Sequence, residues 1–137
     1  MSYLVNKMDK FKTKADAIAY IQENVDGCAD SKRAQKYLID HIPKENYYQD
    51  KIIKFLKSTY QDGVCWKETA GAYSRCGIPD VTFILNGRYY GFEVKRPYFG
   101  VLSTIQEQTI KKIRAAGGVA EVVTFPEEVQ RIVEENR

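Results

Sequence analysis

The sequence predicts a mixed α/β (α+β) fold, in which an N-terminal helical pair precedes a core with the element order αβββαβα. Three observations predict it. Apolar residues recur at helical spacing up to Tyr60, an Asn86-Gly87 dipeptide separates two strand-like runs, and a later helical run ends in Gly117-Gly118. With 137 residues and 44% hydrophobic content, the chain can bury a core of its own.

Three helices are predicted before the first strand. The first runs from Thr13, a suitable N-cap, to about Val25, and the second runs from Asp30 to His41 and stops before Pro43. The third follows Pro43, and its apolar residues repeat at intervals of three and four. They are Tyr48, Ile52, Phe55, Leu56 and Tyr60. We therefore expect a helical extension over residues 1–43 and a second domain over 44–137, packed as one compact unit.

The remaining elements alternate between β-rich and helical runs. Residues rich in β-branched and aromatic side chains predict strands, and apolar residues at helical spacing predict helices. The predicted strands are VCWKETA (64–70), DVTFILN (80–86), RYYGFEVKR (88–96) and VAEVVTF (119–125); the predicted helices run from about Thr104 to Ala116 and from Pro126 onward.

Composition narrows the function only slightly. A net charge of +3 permits nucleic acid binding without requiring it. The odd cysteine count, with Cys28, Cys65 and Cys76 far apart and one histidine, argues against a zinc site or a disulfide framework. No apolar window approaches the roughly 18 residues of a membrane span, so we expect a soluble, cytoplasmic protein with no membrane partner.

The hairpin signal sets a strand register. A two-residue type I′ turn at Asn86-Gly87 requires positive φ at both positions, and pairing outward from the turn brings Asp80 opposite Glu93. Opposed carboxylates repel each other unless one is protonated or a divalent cation lies between them. Side chains alternate along a strand, so Lys95 shares the face of Glu93. A strand-interior Gly91 beside the pair indicates either close approach of a substrate or a bulge.

Two carboxylates and a lysine on one face suit phosphodiester hydrolysis. Mg²⁺ or Mn²⁺ held by Asp80 and Glu93 would polarise a water, and Lys95 could orient that water or neutralise the phosphate. The alternative is structural: an Asp after Pro79 often begins a turn, and a Glu-x-Lys pattern is common on exposed strands.

Four motifs resemble one protein family. GIPD (77–80), FEVKRP (92–97), GVLSTIQ (100–106) and the glycine-rich helix end before VAEVV are similar to those of VRR-NUC nucleases in the PD-(D/E)XK superfamily. The resemblance covers roughly Glu45 to Val133, about two thirds of the chain. It implies a PD-(D/E)XK restriction-endonuclease-like core, αβββαβ(α), with the helical pair added in front.

The resemblance also implies roles for individual residues. Asp80 and Glu93 correspond to the metal-binding acids, with the Val94 backbone carbonyl as a further candidate ligand, and Lys95 corresponds to the active-site lysine. Gln106 corresponds to the glutamine on the following helix. A glutamate on the first core helix is also typical, and it matches Glu45 or, in a competing alignment, Gln49.

Gln106 has a second interpretation, because Ser103 and Gln106 also form a capping-box pattern. The two roles are compatible.

Basic and aromatic residues near the predicted site are candidates for nucleic acid contact, with solvated surface or packing as the alternatives. Between Pro43 and Phe125 there are 12 Lys and Arg against 8 Asp and Glu. The candidate phosphate contacts are Lys67, Arg75, Arg96, Lys111 and Lys112. Tyr98 and Phe99 could stack on exposed bases or pack against the sheet.

The leading functional hypothesis is a Mg²⁺- or Mn²⁺-dependent endonuclease acting on DNA. Family members that consist of the nuclease domain alone resemble Holliday-junction resolvases and act as homodimers, which implies a four-way junction or other branched substrate and a dimer here. Two alternatives stay open: a non-catalytic nucleic-acid- or partner-binding module that keeps the fold, and an RNase that uses the same residues.

Overall fold

The structure is a computed structural model that describes residues 7–69 and 77–137. The chain divides into two compact units. One contains Met1–Lys44 together with Arg96–Gly100, and the other contains Glu45–Lys95 and Val101–Arg137.

The first unit is built on two helices, α1 (Lys14–Asn24) and α2 (Ser31–His41). The side chains of Thr13 and Asp30 cap them by accepting hydrogen bonds from backbone amides of the first turn. Both helices lie within two residues of their predicted bounds. Their buried residues form one apolar cluster, against which Tyr98 and Phe99 of the returning segment also pack. The fully buried helix residues are Ala17, Ile21, Ala34 and Leu38.

The second unit contains the predicted order of helices and strands. In chain order they are α3 (Glu45–Thr59), β1 (Val64–Lys67), β2 (Val81–Leu85), β3 (Arg88–Val94), α4 (Thr104–Ala115), β4 (Val119–Val123) and α5 (Pro126–Asn136). The strands form one sheet in the order β1-β2-β3-β4, antiparallel except for the parallel pair β3–β4. Helix α4 makes the crossover that a parallel pair requires. The α+β prediction and the element order are confirmed.

The β2–β3 hairpin has the predicted turn and register. Asn86 and Gly87 have φ values of 52° and 77°, as a type I′ turn demands. The ladder then pairs Leu85 with Arg88 and continues to Val81 opposite Phe92. The position of every side chain on this hairpin therefore follows from a two-residue turn.

The sheet has two unlike faces. On the core face, alternate strand residues pack against α3 and α5 in one apolar cluster. That cluster includes Val81, Phe83, Leu85, Tyr90, Phe92, Val94 and Val123. The open face carries the intervening residues, and α4 covers part of it. The open-face residues are Trp66, Thr82, Ile84, Tyr89, Gly91 and Glu93.

Apolar contacts hold the core face together. Tyr48, Ile52 and Leu56, four residues apart on α3, are at most 1% exposed. Burial of each such side chain stabilises the fold by about 1.5–3 kcal/mol relative to exposure. No helix in residues 7–69 or 77–137 is both long and apolar enough to cross a membrane.

Candidate active site

Asp80 lies immediately before β2, where the hairpin ladder ends. Continuing the register by one step puts it opposite Glu93, as predicted. Its side chain folds back on the neighbouring strand, because Oδ2 accepts a hydrogen bond from the Val94 amide at 2.8 Å. On the other side, the Asp80 carbonyl accepts a bond from the Glu68 amide at 2.8 Å. Both neighbouring strand segments thus anchor Asp80 at the end of the ladder.

Glu93 is a buried carboxylate on the open face. The residue is only 1% exposed, and Glu residues are almost never fully buried unless they are paired. Its two oxygens differ. Oε1 has two polar neighbours, whereas Oε2 of the ionised carboxylate has no donor among the described residues, and only the protonated carboxyl can bond to Asp80. A buried, unpartnered carboxylate oxygen is costly, and it marks a position where a cation would be stabilising.

Lys95 and Gln106 supply the neighbours of Glu93 Oε1. The Lys95 Nζ atom lies 3.6 Å from Oε1, and its side chain is 13% exposed. Gln106 Nε2 donates a hydrogen bond to the same oxygen at 2.6 Å. Gln106 also completes a capping box with Ser103 at the start of α4, since its Oε1 accepts from the Ser103 amide. Gln106 therefore makes the capping contact and the contact to Glu93 at once.

The electrostatics of Glu93 follow from this burial. Desolvation, followed by the negative charge of Asp80, raises the pKa of the Glu93 carboxyl from 4.5 to about 8, and the Lys95 ammonium only partly opposes this. The carboxyl is then largely protonated at neutral pH when no cation is present. A divalent cation would reverse the effect, since a bound metal is the largest local charge in such a site.

The donor set fits a hard divalent cation. Asp80 and Glu93 offer carboxylate oxygens, and Glu93 Oε2 lacks another partner among the described residues. The Val94 carbonyl is the third candidate. The Val94 N–H points toward β2 and donates to Asp80. The register places Pro79 opposite Val94, and proline has no N–H that could donate to the Val94 carbonyl. The described residues contain no cluster of three or more His, Cys, Asp or Glu, so waters or substrate oxygens would complete the coordination.

Glu45 and Gln49 both lie half-buried in α3. Glu45 does not join Asp80 and Glu93 in a carboxylate cluster of the described chain. The choice between them stays a prediction.

The predicted basic contacts have different surroundings. Lys67 forms an ion pair of 3.2 Å with Asp50 of α3, on the core-face side of the sheet. Lys111 pairs with Glu107 one turn earlier on α4 at 3.4 Å. Lys112 is exposed and has no ion pair with any described acid. Of these three lysines, Lys112 is the one whose ammonium group has no ion-pair partner among the described residues.

Arg96 belongs to the first unit, where its guanidinium caps a helix. Its Nη2 atom donates to the carbonyls of Ile39 and Ile42, at 2.9 and 3.0 Å, at the C-terminal end of α2. This contact gives Arg96 a structural role, and its contact with phosphate stays a prediction. Arg75 lies outside the described residues.

Tyr98 and Phe99 pack on the apolar cluster of the helical unit. The Tyr98 hydroxyl lies 2.8 and 3.0 Å from the carbonyls of Met8 and Phe11. Burial raises the pKa of this hydroxyl to about 12, so it remains a hydrogen-bond donor. The packing alternative holds for both residues, but the surface involved was not the predicted one.

Sequence reasoning missed a polar network beside Asp80. Glu68 follows β1, and its Oε1 accepts bonds from the indole of Trp66 at 2.8 Å and the hydroxyl of Thr82 at 3.0 Å. Thr82 is 3% exposed, so its hydroxyl needs this partner. One sequence signal could have indicated this network: side chains alternate along β2, which puts Thr82 on the same face as Asp80.

Gly91 has a packing role that neither sequence interpretation described. A Cβ atom at this position would lie 2.8 Å from Pro79 Cγ and 3.0 Å from the Tyr89 hydroxyl oxygen. The space above Gly91 is therefore filled by Pro79 and Tyr89. The register also continues through Gly91 opposite Thr82 without a bulge.

Comparison with known proteins identifies the fold. No family model and no curated protein sequence matches the chain. A solved structure described as a "VRR_NUC domain" matches with a TM-score of 0.56 and 22% sequence identity, over 68% of this chain and 97% of that one. The covered share is close to the two thirds over which the motifs resemble the family. The chain thus contains a core with the VRR_NUC fold, as its motifs predicted.

Proposed function

We propose that this protein is a metal-dependent endonuclease that hydrolyses DNA phosphodiester bonds. The observation that carries the proposal is Glu93: a buried carboxylate with one unpartnered oxygen, beside Asp80 and within 3.6 Å of the Lys95 ammonium. An ionised acid in this state costs stability, and a bound cation would offset that cost. The VRR_NUC fold supports a nuclease as the function of this site.

Each side chain of the site has a distinct task in this proposal. Asp80 and Glu93 would hold Mg²⁺ or Mn²⁺, with the Val94 carbonyl as a further ligand. When bound, the cation supplies a Lewis acid and a water that is deprotonated more easily than bulk water. The Lys95 ammonium lies on the same face, where it neutralises charge that develops on the phosphate or orients the attacking water.

Gln106 acts as a positioning residue. Its amide holds Glu93 Oε1 at 2.6 Å and thereby leaves Oε2 as the oxygen available to the cation. Because the same side chain caps α4, the helix start and the carboxylate are fixed together. Such supporting contacts typically contribute 10- to 100-fold to metal affinity or activity.

The substrate and assembly proposals rest on the family resemblance. We take a four-way junction or other branched DNA as the substrate class and a homodimer as the active form. An RNase with the same site is the rival activity, and a direct competition between DNA and RNA substrates distinguishes them.

Cleavage assays test the proposal. A supercoiled plasmid and a synthetic four-way junction are incubated with wild type in Mg²⁺ or Mn²⁺, and we expect cleavage of at least one. Asp80→Ala and Glu93→Ala should each lower the rate by at least about 100-fold. Glu135→Ala is the matched control, because it removes an exposed carboxylate whose ion-pair partner among the described residues is Arg131 on the same helix, α5.

Two results would overturn the proposal that this protein is a nuclease. One is a folded wild type that cuts neither DNA nor RNA with either metal, which would favour the non-catalytic binding module. The other is a rate for Asp80→Ala and Glu93→Ala equal to that of Glu135→Ala.

A further inference from the structure

A groove on the open face lies beside the acidic pair. Its volume is about 480 Å³, within the range of small-ligand sites, and the strands and α4 form its walls. Pro79, the residue before Asp80, lines it, and so does Thr82, which shares the strand and face that follow Asp80. The groove therefore lies beside the strand end that carries Asp80.

Two aromatic rings contribute to its apolar surface, together with the aliphatic side chains of Ile78, Pro79, Ile84, Ile113 and Ala116. Trp66 is 42% exposed, yet its indole N–H is tied to Glu68. The edge of the ring is thus fixed while part of its surface stays accessible. Tyr89 also lines the groove, and it packs over Gly91, since a Cβ atom at Gly91 would lie 3.0 Å from its hydroxyl oxygen. Rings held in place before binding lose little entropy when a ligand stacks on them.

The charged residues of the groove suit different parts of a nucleotide. Lys112 lines it and has no acidic partner among the described residues, so it can attract a phosphate. The Glu68 carboxylate also lines it and would repel a phosphate there. A neutral, flat group fits the interior of the groove, with an attached anionic group directed toward Lys112. A nucleobase with its phosphate has this distribution of charge.

We propose that this groove binds an unpaired nucleobase of the substrate, adjacent to the phosphodiester held at Asp80 and Glu93. A paired base is stacked within the duplex and presents only its edges, whereas an unpaired base can present its face to Trp66 or Tyr89. The inference rests on the proposed nuclease function and narrows its substrate to DNA with unpaired nucleotides next to the cleaved bond.

Trp66 is the single tryptophan, so its fluorescence reports on the groove directly. A single-stranded oligonucleotide is titrated into the wild-type chain in EDTA, where no cleavage occurs. We expect quenching of the Trp66 emission, and we expect an abasic oligonucleotide of equal length to quench several-fold less at the same concentration. No change, or equal quenching by both oligonucleotides, overturns the proposal.

Variants measure the contribution of the ring. Trp66→Ala should weaken binding of a labelled oligonucleotide by about 5- to 100-fold, as expected for loss of an aromatic stacking partner, whereas Trp66→Phe should retain most of the affinity. Val101→Ala, at an exposed residue outside the groove lining, is the control. Thermal unfolding of each variant separates loss of the ring from loss of the fold.

The outcomes also separate this inference from the proposed function. Binding is measured without metal. A wild type that binds the oligonucleotide through its bases but never cleaves DNA therefore contradicts only the proposed nuclease function. If Trp66→Ala cleaves branched DNA at the same rate as Val101→Ala, only the groove proposal is contradicted. If Trp66→Ala converts a dimer into a monomer and leaves oligonucleotide affinity unchanged, the groove is an interface between copies and the proposal fails.

Discussion

The two faces of the sheet use the same strands for opposite purposes. On the core face, Phe83 and Phe92 are at most 1% exposed and pack within the hydrophobic cluster. On the open face, Ile84 is 38% exposed, while Glu93 is buried with a carboxylate oxygen that lacks a described partner. Adjacent residues of one strand therefore differ in what they contribute. The core face stabilises the fold, and the open face holds polar groups at a cost in stability.

The largest expected effect compares two neighbours on β2. Phe83→Ala removes a buried ring and should lower the free energy of unfolding by about 3–5 kcal/mol. Ile84→Ala, one residue away on the open face, should lower it by about 1 kcal/mol or less, because that side chain is already partly exposed. Urea denaturation measures both variants. Equal losses would contradict the division between the faces.

A smaller effect should come from the charge of Glu93. Its pKa is raised from 4.5 to about 8 in the folded, metal-free chain, so folding favours the protonated carboxyl. The resulting stability is complete below pH 4.5 and is lost as pH rises through about 8. In EDTA, the wild type should lose on the order of 4 kcal/mol between pH 4.5 and pH 8.

Glu93→Gln tests the source of this pH dependence. The amide cannot titrate, and its oxygen can still accept the bond from Gln106, so the loss attributed to Glu93 should disappear in urea denaturation series at acid and alkaline pH. An unchanged slope would show that another group carries the pH dependence.

The smallest expected effect separates the two roles of Gln106. Ser103→Ala removes the cap from α4 and should cost about 1 kcal/mol of stability, with cleavage close to wild type. Gln106→Ala removes the reciprocal bond to the Ser103 amide and the contact to Glu93, so cleavage should fall by about 10- to 100-fold. The matched pair is compared by urea denaturation and by cleavage rate. Equal rates would restrict Gln106 to capping.

Local chemistry made part of this site predictable. A type I′ turn requires the positive φ that Asn86 and Gly87 readily adopt, and a period of two then places every side chain of the hairpin. The adjacency of Asp80, Glu93 and Lys95 follows from these two rules. The capping box of Ser103 and Gln106 is equally local, and it too was predictable.

Contacts between distant segments were not predictable in this way. Arg96 donates to carbonyls 54 and 57 residues earlier in the chain, and no periodicity reports such a pairing. Tyr98 likewise bonds to residues nearly ninety positions away. The role of Gly91 depends on where Pro79 and Tyr89 come to rest. These features arise from tertiary packing, which composition and spacing do not determine.

Calorimetric titration with Mn²⁺ tests the central claim, that Asp80 and Glu93 form a cation site, most directly. At pH 6.5 the Glu93 carboxyl should be protonated before metal binds, so binding should release about one proton per ion, measured in buffers of different ionisation enthalpy. Glu93→Gln should bind more weakly and release none. Absence of binding at millimolar Mn²⁺, or binding to wild type without proton release, would contradict the account.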